Sequence, residues 1–76
     1  MSERLPRVTA AEIIRVLERN GFSSARASGA HRIYKNQEGR RVTVAYHAGK
    51  IIHPKVLRNI LQDAGWSAEK FQELLS

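Results

Sequence analysis

The spacing of apolar residues changes as the chain advances, and each change predicts an element. Ile13, Ile14 and Leu17 recur on one side at helical spacing, with Glu12, Arg15, Glu18 and Arg19 on the rest. Thr9 stands three residues before Glu12, the arrangement of a capping box, so the helix starts there. Asn20-Gly21 supplies a left-handed stop. Residues 1–8, with Pro6 among them, read as a short lead-in. The period then shortens. Phe22–Ser28 is polar and unbroken, a weak strand, and Ser28-Gly29-Ala30 is a turn. His31–Lys35 reads as a strand, Asn36–Gly39 as a hairpin loop and Arg40–Tyr46 as the clearest strand of the chain. In that last strand Val42, Val44 and Tyr46 alternate with Arg41, Thr43 and Ala45, and Ile33 is expected to meet Val42 or Val44 across the hairpin.

Helical spacing returns after a connection at 47–53. Pro54 suits a first helical position, Val56, Leu57, Ile60, Leu61 and Ala64 form an apolar stripe, and Gly65 ends it. Ser67 caps a short last helix over 68–75 that turns Phe71, Leu74 and Leu75 inward. Phe22 and Phe71 are assigned to the core, and Trp66 to an anchor between the last two helices. The order α-β-β-β-α-α makes one α+β domain over residues 1–76: a three-stranded antiparallel sheet with helices on one face and the other face open.

Composition narrows the class. The 76 residues include no cysteine, which excludes disulfides and Cys-based zinc sites. No apolar run approaches the roughly 18 residues of a membrane span, and the start MSERLPRVTA has no apolar core of a secretory signal, so a cytoplasmic protein is expected. Thirteen Lys and Arg against seven Asp and Glu leave a net charge of +6. That balance in so short a chain points to a polyanionic partner, nucleic acid before an acidic protein, with bare solubility as the plainer explanation.

The catalytic inventory is short. Cysteine nucleophiles, GxSxG, Walker A and GxGxxG patterns are all missing from the sequence, and the carboxylates fall singly rather than in a metal-binding cluster. An enzyme built from this chain must rely on His31, His47 or His53. Imidazole exchanges protons near neutral pH, which suffices for RNA: the 2′-hydroxyl is a nucleophile already in place and needs only proton transfer. His31 follows the Gly29-Ala30 turn and opens a strand between Arg26 and the pair Arg32 and Lys35, a rigid position beside accessible backbone. A surface histidine with no chemistry would look the same. His47 can approach His31 across the hairpin, as an acid/base pair or as an ordinary cross-strand neighbour, and His53 reads as part of a helix N-cap. Gly49-Lys50 precedes a helix N-terminus and suits a phosphate, or is a solvated loop; Arg40 and Arg41 are backbone contacts or a solvated edge. Tyr34 and Tyr46 can stack on bases, with Tyr46 the better core residue.

Taken together, six motifs resemble the HicA (YcfA-like) toxins: Gly29-Ala30-His31, Glu38-Gly39-Arg40, Arg41-Val42-Thr43-Val44, His47-Ala48-Gly49-Lys50, the run from Leu57 to Gly65, and the run from Glu69 to Leu75. The resemblance covers about Thr9 to Leu75. It implies a double-stranded-RNA-binding-like fold and a type II toxin–antitoxin toxin that cleaves mRNA independently of the ribosome and is blocked by a HicB-type antitoxin. It makes His31 the catalytic position, with the turn residues Gly29 and Ala30 behind it, and matches His47, Gly49 and Lys50 to a second family motif; from their charge and position, Arg32, Lys35, Arg40, Arg41, His47 and Lys50 are expected to hold the RNA. It calls for no metal and no cofactor. The family usually has serine where this chain has Ala30, so attenuated rather than abolished chemistry is expected. The alternatives are a non-catalytic RNA-binding module, which would tolerate loss of the His31 imidazole, and a domain whose basic surface serves an acidic protein.

Overall fold

The computed structural model describes residues 5–75; the first four residues of the expected lead-in lie outside them. The elements are α1 (Ala10–Arg19), β1 (Ser23–Ser28), β2 (His31–Lys35), β3 (Arg41–Ala45), α2 (Pro54–Ala64) and α3 (Ala68–Leu75). The predicted α-β-β-β-α-α order is present, and among the described residues no helix is long and apolar enough to cross a membrane.

Local chemistry sets the helix ends. The Glu12 amide donates to Thr9 Oγ1, while Glu12 Oε1 accepts from the Thr9 amide at 2.8 Å, closing the capping box. At α2, Pro54 occupies the first turn and His53 Nδ1 accepts the Lys55 amide at 3.0 Å. Gly65 ends α2 in the left-handed region at φ 84°.

The sheet is antiparallel in the order β1-β2-β3, so β2 is central. Its register corrects one expectation. Tyr34 pairs with Val42 and Arg32 with Val44, whereas Ile33 faces Thr43. Tyr34, Val42 and Val44 therefore point to the helices and are buried, and Ile33 lies half-buried on the outer face. Tyr34, at 3% exposure, is a core residue and unavailable for stacking on a base. The predicted third strand is also shorter than expected, stopping at Ala45, with Tyr46 half-buried against the core.

The core lies between the sheet's inner face and the helices. Ile13, Leu17, Val42, Val44, Leu57 and Phe71 are its fully buried large side chains. Val56, expected in the α2 stripe, is 44% exposed, because only Leu57, Ile60, Leu61 and Ala64 face the sheet. Trp66 meets Phe22 edge-on at 5.8 Å between ring centroids and stacks over Phe71 at 6.4 Å, the anchoring role expected of it.

Candidate functional site

The site is built where β1, β2 and β3 end together. Gly29 has φ 58° and Ala30 does not take positive φ, the sign pattern of a type II′ hairpin turn. That turn needs no side chain at Gly29 and joins Ser28 directly to its cross-strand partner His31. His31 is in turn opposite Ala45. One step beyond, the Tyr46 amide donates to the Ala30 carbonyl at 2.6 Å. His31 is thus held from both neighbouring strands and from the turn behind it, yet its side chain is exposed. An imidazole on rigid backbone with an accessible ring is suited to exchange a proton with a bound ligand.

The register sorts the remaining predicted residues. Lys35 and Arg41 are direct cross-strand partners on the outer face, the face of His31. Arg26, flanking the turn on β1, is paired with Ile33 and joins them. Its place is readable from alternation, since it stands two residues before Ser28, the partner of His31 across the two-residue turn. Arg32 points to the other side, where its guanidinium lies 4.3 Å over the Tyr46 ring. Arg40 is also drawn away: its Nη1 donates to the Asp63 carbonyl at 3.3 Å, at the C-terminal end of α2. The structure does not bring Arg32 or Arg40 onto the His31 face.

His47 leaves the sheet at the same end as His31, two residues after Ala45, and is exposed. The Lys50 amide donates to the His47 carbonyl at 3.1 Å, and Gly49 has φ 78°, which makes His47–Lys50 a turn of the type II sign pattern. Lys50 is exposed on that turn. With Ala45, Ile51, His53 and Val56, His47 and Lys50 line a cleft of about 270 Å³ along the edge of β3. The helix N-terminus beside it is a poorer anion seat than the sequence suggested. Pro54 has no amide hydrogen, the Lys55 amide is taken by His53, and the Leu57 amide is bonded to the His53 carbonyl.

Electrostatics separate the outer face from the rest of the surface. The three strands hold four Lys and Arg plus His31, and no Asp or Glu. The carboxylates lie on helices and loops instead, where Glu12, for example, is spent on the α1 cap.

Against known protein families, residues 10–66 match the family model described as HicA toxin of bacterial toxin–antitoxin systems. The chain belongs to the HicA toxin family. The match spans the whole sheet, the His31 turn and α2, so the toxin assignment rests on the elements that build the site. As a HicA-type toxin, the protein has an antitoxin as its counterpart. No curated protein gave a significant match.

Proposed function

We propose that this HicA-type toxin is an endoribonuclease that cleaves mRNA with His31 and is silenced by a HicB-type antitoxin covering the same surface. The supporting observation is the position of His31: exposed, fixed by pairing on both sides, and set on a sheet face with cations but no carboxylate.

The chemistry follows from that position. The imidazole takes the proton of the ribose 2′-hydroxyl. The 2′-oxygen attacks the adjacent phosphorus, the P–O5′ bond breaks, and the departing 5′-oxygen takes a proton from a second acid, protonated His47 or a water molecule, while His31 later releases its proton to solvent. The products are a 2′,3′-cyclic phosphate and a free 5′-hydroxyl. Each positioned proton transfer is worth about 10²–10⁴-fold. The nucleophile comes with the substrate, so the step calls for no metal ion. Lys35, Arg41 and Lys50 supply positive charge for the backbone and for the phosphorane. His47, leaving the sheet at the same end, is our candidate for the second acid. Arg32 and Arg40, with partners inside the protein, hold the frame around the site. Ala30 gives its backbone carbonyl to the Tyr46 amide, and its methyl offers no hydroxyl to the ring or to phosphate, which supports a slowed reaction.

The test is cleavage of a labelled mRNA by the parent chain and by His31→Ala, with chelator present and absent. Expected are a 2′,3′-cyclic end from the parent, unchanged by chelator, and a loss of at least about 10²-fold in the variant. A variant that cuts as fast as the parent would remove His31 from the mechanism. RNA bound but left intact by the parent would make the protein a binding module.

A further inference from the structure

Lys35 and Arg41 sit directly opposite each other across β2 and β3. Like charges in that arrangement destabilise a sheet. Neither forms an ion pair with any described residue. Arg26, one strand over and level with Ile33, has no ion-pair partner among the described residues either. Beside His31, the rest of the face is Ser23, Ser28, Ile33, Thr43 and Ala45, with no aromatic ring, since Tyr34 is buried and Tyr46 lies under Arg32. The face thus offers unpaired charge at regular intervals and nothing on which a base can stack.

We infer that the outer face of the sheet binds one RNA strand lying along β2, held by its phosphates, with Arg26 and the Lys35–Arg41 pair as successive contacts leading away from His31. The dimensions agree with a single chain. Four residue steps separate His31 from Lys35, about 13 Å along the strand, and the strands stand about 4.8 Å apart. Arg26 lies level with Ile33, between the two ends. The cations therefore form a narrow strip a few nucleotides long. Duplex RNA is bound over about 16 base pairs and two successive minor grooves, far longer than this strip. Without stacking or base-edge donors, the strip reads the polymer and leaves sequence preference to the cleft beside it. The order of contacts rests on the proposed role of His31; the binding face itself rests on charge and register.

The test uses the full chain carrying His31→Ala, so that bound RNA stays intact, and fluorescence anisotropy at several salt concentrations. The probes are oligouridylate, oligoadenylate and a self-complementary duplex of equal length. Both single strands should bind alike and the duplex more weakly. Arg26→Gln, Lys35→Gln and Arg41→Gln should each reduce the steepness of log K against log salt by about 0.7, the single-strand value per phosphate contact. Arg58→Gln, on exposed α2 surface, should leave it unchanged. All variants are screened by circular dichroism, and a second set with Ala at the same positions repeats the measurement. Unaltered slopes in the three face variants, or tighter duplex binding, would overturn the inference. So would polyglutamate competing with the oligonucleotides at equal charge concentration, which would make the face a site for an acidic protein. Failure of the parent to cut RNA, with these slopes as expected, would instead sink only the nuclease reading.

Discussion

Replacing Gly65 by alanine probes how the hairpin is locked to α2. Gly65 has φ 84°, and a Cβ built on it would lie 2.6 Å from Arg40 Cζ and 2.8 Å from Arg40 Nε. Two costs follow. A left-handed residue with a Cβ costs about 1–2 kcal/mol. The guanidinium must also leave, breaking its hydrogen bond to the Asp63 carbonyl. That contact is exposed and 3.3 Å long, so its net worth is about 0.5 kcal/mol, at the low end for a hydrogen bond. Gly65→Ala should therefore cost about 2 kcal/mol, against about 4–11 kcal/mol available to a domain of this size. Gly49 is a matched control, left-handed at φ 78° with open space around its Cβ position, so Gly49→Ala carries the backbone cost alone. Urea unfolding of Gly65→Ala, Arg40→Ala and the double variant closes a cycle. Arg40→Ala should remove the excess, so that Gly65→Ala in that background matches Gly49→Ala. A cycle with no coupling would refute the lock and return Arg40 to the solvent.

Two further outcomes test the register and the α2 cap. Tyr34→Ala should cost about 3–5 kcal/mol by analogy with other buried aromatics, while Ile33→Ala should cost far less, and chemical denaturation will reverse that order if the sheet is offset by one residue. His53→Ala should destabilise by about 1 kcal/mol through loss of the bond from the Lys55 amide, whereas His53→Asp should preserve or raise the melting temperature, since a carboxylate caps better and suits the helix dipole.

What the sequence made legible was local. Thr9 with Glu12, Asn20-Gly21, Pro54 and Gly65 each act over a few residues, and the structure uses each where the pattern places it. His31 at the head of its strand was legible for the same reason, since glycine beside a polar run marks the turn. The facing of β2 was not. Its five residues carry Ile33 on one side and Tyr34 on the other, so alternation cannot choose between them; the burial of a large ring against Val42 decides. Val56 was misjudged because it sits at the edge of the stripe, and the helix turns Leu57, Ile60, Leu61 and Ala64 inward while leaving Val56 at the surface. Arg40 and Arg32 found internal partners through contacts with no sequence pattern, one of them 23 positions away. Arg26, already visible as a neighbour of the turn, takes the outer face by simple alternation from Ser28.

All six side chains of β1 are exposed, and the strand carries a bulge between Ser24 and Arg26. No side chain nails it to the interior, so its attachment is the hydrogen-bond ladder to a single neighbour. It can peel away and re-zip while the hydrophobic centre stays shut, at a free energy well below that of global unfolding. Amide exchange along this ribbon will thus report breathing of the margin rather than collapse of the whole, and a polyanion spanning Arg26 and its neighbours would slow that breathing by clasping the loose edge.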